Sequence, residues 1–293
     1  MGGAKLLDGK KIAAKLQDNI CDDVLASVRR VTTPQHIPSP KIVAVSVGKN
    51  KVSEIYLNSQ KNVAEKIGIT HEAKIFEDTI QEEVLIKHIR TLNDDDSVNG
   101  ILIQMPLPEH IKMRKIFDVI DPEKDIEGVH PYNLGRLVLK RNIFIPCTAQ
   151  AAIELIDSTG ADLYGAEAVV IGSGKVVGRP LSLLLMERMA TTTVCHIGTF
   201  DKKHLAEHVR RAEILIVAVG KAHLIPGDWI REGSIVIDIG INRIGDRIVG
   251  DVDFEAAKKC AAYITPVPGG VGPLTVTILM RNVLTAFKRQ KGL

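Results

Sequence analysis

Hydrophobic and polar residues alternate along this chain with two different periods. Apolar residues recur at every fourth position between residues 12 and 28, which predicts an amphipathic helix. Short runs of Val, Ile, Leu and Ala predict buried strands, because a strand covered on both faces has few polar side chains. Two such runs, at 42–47 and 100–103, are separated by periodic segments at 52–67 and 80–92 that predict helices. The first half of the chain therefore predicts alternating strands and helices.

The same alternation continues, more regularly, in the second half of the chain. A helix is predicted at residues 148–156, and short apolar runs then alternate with helical patterns. No repeat or low-complexity linker separates the two halves, which meet near residues 140–165. The pattern predicts an α/β fold with two lobes. The strands of the second lobe are predicted at residues 168–172, 191–196, 214–219, 234–240 and 263–265.

Composition limits the classes of protein to which the chain can belong. Of its 293 residues, 45% are hydrophobic and 25% are charged, which excludes collagen-like, coiled-coil and disordered chains. Aromatic residues make up only 4%, so the core must be built mainly from Val, Ile, Leu and Ala. Lys and Arg number 38 and Asp and Glu number 35, a net charge of +3 with no long block of one sign. This distribution predicts no nucleic-acid partner and no membrane partner, and it favours small ligands.

The cysteines and the first residues argue against a metal site and against a signal peptide. Cys21, Cys147, Cys195 and Cys260 are far apart and lack the spacing of zinc ligands, so we expect free thiols in a reducing compartment and no metal site. The first residues lack the apolar core of a signal peptide. No run of about 20 apolar residues is long enough to span a membrane. We therefore expect a cytoplasmic protein, and a removed transit peptide would leave no trace in this sequence.

A glycine-rich turn lies between a predicted strand and a predicted helix in the second lobe. Gly172, Gly174 and Gly178 form a G-x-G-x-x-x-G pattern. Glycines there allow the backbone to approach a pyrophosphate, and the helix N-terminus offers unpaired N–H groups. A plain tight turn is the alternative, but the strand, the helix and the further β-α units favour a dinucleotide site.

The next predicted strand ends without the acidic residue that usually binds the ribose 2′-hydroxyl of NAD. Residues 195–198 read Cys-His-Ile-Gly and contain no Asp or Glu. Lys175, Arg179, Lys202 and Lys203 could instead meet a 2′-phosphate, although surface lysines are usually only solvated. This absence favours NADP as the cofactor without excluding NAD.

Two further groups of residues are candidates for a substrate site. Tyr56 and Gln60 lie four residues apart on a predicted helix and share one face, while Lys61 points roughly 100° away. A Tyr that only packs on its own helix is the alternative. The loop between Pro266 and Thr275 has three glycines and three prolines within eight residues, which suits close backbone contact with a flat ligand.

Several motifs, taken in order, are recognisable. They are Asp8-Gly9-Lys10, Gln104-Met105-Pro106-Leu107-Pro108, Pro122-Glu123-Lys124-Asp125, Asn133-Leu134-Gly135-Arg136-Leu137, Pro146-Cys147-Thr148, Asp238-Ile239-Gly240-Ile241-Asn242 and the loop between Pro266 and Thr275. On these motifs the chain resembles the methylenetetrahydrofolate dehydrogenase/methenyltetrahydrofolate cyclohydrolase family, the FolD-type enzymes, over essentially its whole length.

The resemblance implies a particular two-lobed α/β fold. An N-terminal α/β catalytic lobe is joined to a Rossmann-like parallel-sheet cofactor lobe, with a cleft between them. The last helix of the family packs back on the first lobe, so residues 1–147 and 275–293 are expected to form the folate-binding domain. Residues 148–274 are expected to form the NAD(P)-binding domain. Members of the family are typically homodimers and act in one-carbon metabolism, which supplies purine biosynthesis.

The resemblance also implies two successive reactions. A hydride passes from the one-carbon bridge of 5,10-methylenetetrahydrofolate to the nicotinamide of NADP, and the methenyl cation is then hydrolysed to 10-formyltetrahydrofolate. The implied catalytic residues are Tyr56, Gln60, Gln104 and Glu127, and the implied folate contacts add Ile103, Met105, Pro268, Gly269, Gly270, Val271 and Gly272. The implied cofactor contacts are Gly172, Ser173, Gly174, Val177, Ile197, Ile241 and Thr275.

Several positions depart from the family's pattern. Gln60 stands where the family has a catalytic Lys, and an amide has no useful pKa for proton transfer. Glu127 stands where the family has the Asp that binds the pterin, which lengthens the side chain by one methylene. In the cofactor motif, Ser173 and Gly174 replace Arg-Ser, and Ile197 replaces a Ser or Arg.

These departures leave three interpretations open. The first is a dehydrogenase with weak or no cyclohydrolase activity, since hydride transfer depends least on the missing Lys. The second is a bifunctional enzyme in which Lys61, or a water held by Gln60, takes the missing role. Lys61 would face Tyr56 only if the helix had a one-residue bulge at Ser59. The third is a folate- or nucleotide-binding paralogue without enzyme activity.

Overall fold

The computed structural model describes residues 3–33, 38–48 and 50–293. Met1 and Gly2 lie outside the described residues. They belong to the segment from which the absence of a signal peptide is expected. The chain divides into two compact units. The six-stranded unit comprises the chain up to Ala13 together with Pro146–Thr275, and the three-stranded unit comprises Ala14–Ile145 together with Val276–Leu293. The domain boundaries expected from the sequence stay a prediction.

Helices and strands are interspersed along the described residues, and the main sheet of each unit is parallel, which confirms the predicted α/β class; β9 and β10 form a separate antiparallel pair. The strands are β1 (Lys5–Leu6), β2 (Lys41–Val47), β3 (Thr70–Phe76), β4 (Gly100–Ile103), β5 (Glu167–Ile171), β6 (Thr191–Cys195), β7 (Ile214–Val217), β8 (Ile235–Asp238), β9 (Asn242–Ile244), β10 (Arg247–Val249) and β11 (Tyr263–Ile264). The helices are α1 (Gly9–Val31), α2 (Lys51–Lys66), α3 (Glu82–Asp94), α4 (Met113–Phe117), α5 (Pro131–Val138), α6 (Cys147–Asp157), α7 (Gly178–Glu187), α8 (Ile197–Asp201), α9 (Leu205–Arg211), α10 (Phe254–Cys260) and α11 (Val271–Gln290).

Three parallel strands in the order β3-β2-β4 form the sheet of the three-stranded unit. The central strand β2 is buried at every residue from Ile42 onward, which explains why its sequence is apolar there except at Ser46. Aliphatic side chains from one face of the sheet, such as Val45 and Ile103, pack with Leu85 and Ile89 of α3 in a common core. This packing holds the carboxyl ends of β2 and β4 side by side.

The helix α11 contributes to the three-stranded unit from Val276 onward. Asn282 Nδ2 donates to the carbonyl oxygen of Ile126 over 2.8 Å. The Arg289 guanidinium pairs with the Glu123 carboxylate, with 2.7 Å between Nε and Oε2. Both contacts reach the segment after β4, so the C-terminal helix braces the motif that contains Glu127.

Six parallel strands in the order β1-β11-β8-β7-β5-β6 form the other sheet. The chain moves outward from β5 to β6 and then returns to β7 on the other side of β5. In open α/β sheets, ligands bind beyond the carboxyl ends of the strands at such a reversal of strand order. The ends of β5 and β7 therefore mark a place for a cofactor.

Predicted and observed elements agree to within a few residues wherever the sequence pattern is strong. The pattern does not indicate β3, because this edge strand has only exposed or half-buried side chains and no apolar run. The short strands β1, β9 and β10 likewise carry too few residues to show a period. Among the described helices, none is long and apolar enough to cross a membrane.

Lys124 is a buried cation that closes the end of α3. Its Nζ donates to the carbonyl oxygens of Leu92, Asn93 and Asp95 over 3.0, 2.6 and 2.8 Å. We expect Lys124→Met to lower the free energy of unfolding by about 2–4 kcal/mol, because three carbonyl groups lose their partner. Urea denaturation measures the change, and Lys87→Met, at an exposed position of the same helix, should change it by less than about 0.5 kcal/mol. Equal losses in the two variants would contradict this account.

Candidate active site

One face of α2 and the loop after β4 bring two amide side chains together. Gln60 is 5% exposed, and its Nε2 donates to Gln104 Oε1 over 3.3 Å. Tyr56 lies one helical turn before Gln60 and is half-buried. Burial raises the pKa of the Tyr56 phenol, so its hydroxyl group keeps its proton at neutral pH. Three residues that the sequence points to therefore lie on two adjoining elements.

Hydrogen bonds to the backbone fix the loop that carries Gln104. The Gln104 N–H donates to the carbonyl oxygen of Val45 over 2.8 Å, which continues the pairing of β2 and β4 past the end of β4. Ser53 Oγ on α2 donates to the carbonyl oxygen of Met105 over 3.4 Å, and the bond between Met105 and the next proline is cis. The Ile103 side chain lies in the core, whereas Met105 is 41% exposed. Met105 therefore offers its side chain to a ligand, and Ile103 offers only its backbone.

His71 on β3 extends the amide pair into a chain of three polar side chains. Its Nε2 lies 3.4 Å from Gln60 Oε1, at the other end of the amide from the bond to Gln104. Burial lowers the pKa of the His71 imidazole, and the positive charge of Lys61 lowers it further. Sequence reasoning misses His71, because a single His in a polar segment belongs to no motif and no periodic pattern.

The structure contradicts the helix bulge through which Lys61 would reach the site. The helix α2 continues without a bulge from Lys51 to Lys66. Lys61 is exposed, and its Nζ lies 3.8 Å from Glu65 Oε1 on the same helix. The interpretation in which a bulge at Ser59 turns Lys61 toward Tyr56 is therefore wrong.

Two carboxyl groups lie two residues apart in the segment after β4. Asp125 is buried and accepts hydrogen bonds from the His130 N–H and from Asn133 Nδ2, each over 2.8 Å. Glu127 is partly buried, and its loss of hydration, together with the negative charge of Asp125, raises its pKa to about 8. The Glu127 carboxyl group is therefore mostly protonated at neutral pH, unlike an ordinary surface carboxylate.

Close backbone packing shapes the glycine turn after β5. Gly172 has a φ of 113°, and a Cβ there would collide with the carbonyl oxygen of Ala218, which follows β7. A Cβ on Gly178, at the start of α7, would collide with the carbonyl oxygen of Gly172. The turn thus meets the end of β7 at the reversal of strand order, where a dinucleotide is expected to bind.

The other predicted cofactor residues differ in exposure. Arg179 Nε donates to the carbonyl oxygen of Ser173 over 3.0 Å, which holds the turn in place. Ile197 is 73% exposed and begins α8 directly after β6, where a ribose-binding side chain is usual. Gly174, Ile197 and Ile241 are exposed, whereas Ser173, Val177 and Thr275 are half-buried.

Two buried carboxyl groups hold the loops at the carboxyl ends of β7 and β8. Asp238 accepts hydrogen bonds from the N–H groups of Gly240, Asp251 and Val252 over 2.9–3.0 Å. Asp251 accepts from three consecutive N–H groups, those of residues 219–221. Burial raises the pKa of Asp238 to about 6. The Asp-Ile-Gly-Ile-Asn motif therefore acts through loop structure, a role that the sequence alone does not reveal.

The loop before α11 packs against the start of α1 within the six-stranded unit. Gly269 has a φ of 114°, a conformation that favours glycine, and the Gly270 N–H donates to the carbonyl oxygen of Pro266 over 2.8 Å. A side chain at Gly9 would collide with the carbonyl oxygen of Gly270. The Asp-Gly-Lys motif near the start of the chain therefore supports the loop. In the loop itself, Pro268 is exposed, Gly269 and Gly272 are half-buried, and Gly270 and Val271 are buried.

No group of three or more His, Cys, Asp and Glu side chains among the described residues could hold a metal ion. The four cysteines form no disulfide in the part of the chain that the structure describes, and Cys147 and Cys195 are buried. The candidate residues described in the three-stranded unit carry amide, phenol, imidazole and carboxyl groups.

Comparison with known proteins identifies the family that has this arrangement. Residues 7–127 match the catalytic domain of the tetrahydrofolate dehydrogenase/cyclohydrolase family, and residues 146–291 match its NAD(P)-binding domain. The chain belongs to the tetrahydrofolate dehydrogenase/cyclohydrolase family. This confirms the resemblance inferred from the motifs.

Relatives of the tetrahydrofolate dehydrogenase/cyclohydrolase family match the chain over nearly its whole length. The bifunctional protein FolD of Nautilia profundicola is 43% identical over 284 residues, a match that covers 97% of each chain. The crystal structure of the bifunctional FolD of Campylobacter jejuni has a TM-score of 0.92 and 39% identity, and covers 98% of this chain and 99% of that one. The Trypanosoma brucei FolD, solved with NADP and an inhibitor, has a TM-score of 0.94, 35% identity and 100% coverage of both chains.

The raised pKa of Glu127 predicts a stability that depends on pH. A carboxyl group whose pKa rises on folding holds its proton more tightly in the folded state, so stability falls as the pH rises from 4.5 toward about 8. Relative to Glu127→Gln, the unmodified protein should lose roughly 1 kcal/mol or more of unfolding free energy between pH 6 and 8. Urea denaturation at the two pH values measures the loss.

The matched control for this prediction is Glu109→Gln, at an exposed position. It should show the same pH dependence as the unmodified protein. A difference between the unmodified protein and Glu127→Gln that stays constant with pH would contradict the raised pKa of Glu127.

Proposed function

We propose that this chain is an NADP-dependent 5,10-methylenetetrahydrofolate dehydrogenase of one-carbon metabolism, and that it hydrolyses methenyltetrahydrofolate more slowly than it forms it. The observation that carries the proposal is the hydrogen bond between Gln60 and Gln104, one helical turn from Tyr56. Tyr56 and Gln104 match the family's catalytic side chains, whereas Gln60 replaces its Lys. The match of both family domains supports the class of reaction.

Each candidate side chain has a proposed role in binding folate. The Gln104 amide and the Tyr56 hydroxyl group contact the one-carbon unit, and Glu127 contacts the pterin ring. The pterin offers N–H donors, which favour an ionised carboxylate, so binding lowers the pKa of Glu127 and releases a proton. Further contacts in the three-stranded unit come from Ile103 and Met105. The family resemblance alone adds Pro268, Gly269, Gly270, Val271 and Gly272 to the proposal.

The two reactions make different demands on these side chains. Hydride transfer needs the one-carbon bridge and the nicotinamide to be aligned with water excluded, which is mainly a matter of position. Hydrolysis also needs a group that takes a proton from the attacking water. Gln60 has no useful pKa, and the Tyr56 hydroxyl group keeps its proton at neutral pH. The dehydrogenase reaction is therefore the faster of the two.

The proposed cofactor is NADP. Its pyrophosphate lies at the glycine turn of Gly172, Ser173 and Gly174, with Val177, Ile197, Ile241 and Thr275 as further contacts. Support comes from the end of β6, which lacks an acidic residue for a ribose 2′-hydroxyl group. The exposed cations Lys202 and Lys203 follow α8 and are available to a 2′-phosphate.

We also propose that the protein works as a homodimer in the cytoplasm and contributes one-carbon units to purine biosynthesis. These properties rest on the family to which the chain belongs. They add no residue to the site proposed above.

A direct assay tests the dehydrogenase function. Purified protein is incubated with 5,10-methylenetetrahydrofolate and either NADP or NAD, and reduced nicotinamide is quantified separately from methenyltetrahydrofolate. We expect turnover with NADP to exceed turnover with NAD. The absence of reduced nicotinamide with both nucleotides would overturn the proposed function.

A single substitution tests why hydrolysis is slow. Gln60→Lys places an amine between His71 and Gln104 and should raise the cyclohydrolase rate at least about tenfold, because general acid–base catalysis is typically worth 100-fold or more. Decay of methenyltetrahydrofolate absorbance measures the rate. Gln60→Met, of similar length without a polar group, should show no gain. A folded Gln60→Lys variant that binds folate but gains no activity would show that the amide does not limit hydrolysis.

A further inference from the structure

A continuous chain of polar side chains joins an edge strand to the candidate active site. His71 on β3 contacts Gln60 on α2 over 3.4 Å, and Gln60 contacts Gln104 after β4 over 3.3 Å. The three residues lie on three different elements. Their contact is therefore a product of tertiary structure and does not follow from any local motif.

Because Gln60 is buried, the orientation of its amide determines which hydrogen bonds it can form. Gln60 is 5% exposed, so its oxygen and its nitrogen depend on protein partners. With a proton on Nε2, His71 donates to Gln60 Oε1, which directs the Gln60 NH2 group to Gln104 Oε1. The NH2 group of Gln104 then lies 3.4 Å from the carbonyl oxygen of Met105. A reversed Gln60 amide would place its oxygen against the oxygen of Gln104, and both amides would have to turn.

The charged groups that face His71 come from α2. Lys61 lowers the pKa of the imidazole and Glu65 raises it, while burial, the largest cause, lowers it. The residue paired with His71 on β2 is the apolar Ile42. On β3 itself, Glu72 forms ion pairs with lysines of β2 and β3. His71 is therefore neutral at neutral pH.

We propose that His71 is a positioning residue for hydride transfer, which orients the Gln104 amide toward the one-carbon unit by fixing the Gln60 amide between them. This inference rests on the proposed function, because it takes the folate to bind beside Gln104. It assigns a part in the reaction to a residue outside every motif that defines the family resemblance.

The neutral state of His71 favours the same step. When the hydride and its electron pair leave for the nicotinamide, the one-carbon unit becomes positively charged. A second positive charge at the far end of a buried amide chain would oppose that change. Acidification through the pKa of His71, which is below its ordinary value of 6.5, is therefore expected to slow the dehydrogenase reaction.

The test compares two substitutions of His71 with the unmodified protein. His71→Ala removes the hydrogen bond and should lower the dehydrogenase kcat at pH 7.5 about tenfold, the ratio that corresponds to one lost hydrogen bond, with little change in KM for folate. His71→Gln carries an amide nitrogen near the position of Nε2 and should restore kcat to within about threefold. Because an amide does not titrate, His71→Gln should also lack the fall in kcat that the unmodified protein shows on acidification.

The matched control is His88→Gln, at another half-buried histidine whose pKa burial lowers. His88 packs edge-on against Phe76. The substitution His88→Gln should leave kcat, and the fall in kcat on acidification, unchanged. If His71→Ala fails to fold, the dependence of kcat on acid pH in His71→Gln tests the inference: the fall seen in the unmodified protein should be absent. If the unmodified protein is active and both His71 variants have the same kcat and pH profile as it has, the inference about His71 is overturned and the proposed function stands. An unmodified protein that reduces neither nucleotide would overturn the proposed function.

Discussion

In the three-stranded unit, the position of the Gln104 amide, and with it that of its partner Gln60, depends on the hydrogen bond between the Gln104 N–H and the carbonyl oxygen of Val45. This bond extends the ladder of β2 and β4 by one residue, so Gln104 belongs structurally to the sheet although the strand ends at Ile103. A side chain held by a sheet has less freedom than one on a free loop. The Gln60 amide can therefore rely on a fixed partner, and Tyr56, one turn earlier on the same helix, is positioned together with it.

In the six-stranded unit, the corresponding constraint is steric. The backbone around Gly172 and Gly178 is packed so closely that no side chain fits at either position. The carboxyl groups of Asp238 and Asp251 accept hydrogen bonds from N–H groups of the neighbouring loops, so contacts within the protein hold the loops at the carboxyl edge of the sheet. Loops held in this way lower the entropic cost of binding a dinucleotide.

Much of this organisation can be predicted from sequence, and the exceptions share a physical cause. Buried strands such as β4 and β7 are predictable because burial on both faces excludes polar side chains. The glycine turn and the loop at Gln104 are predictable because tight backbone packing restricts residue type. His71 is not predictable, because its role depends on which helix covers an edge strand. The high pKa of Glu127 likewise depends on tertiary burial, and the bulge at Ser59 proposed from the pattern is absent from α2.

The place of His71 on an edge strand has an evolutionary consequence. The side chains of β3 are exposed or half-buried, so most substitutions there cost little folding free energy. Gln60, in contrast, is enclosed by protein and tolerates few replacements. The proton affinity at the outer end of the amide chain can therefore change through single mutations in a tolerant strand while the core stays the same. In this protein, selection can adjust the surroundings of the candidate active site from the periphery of the sheet.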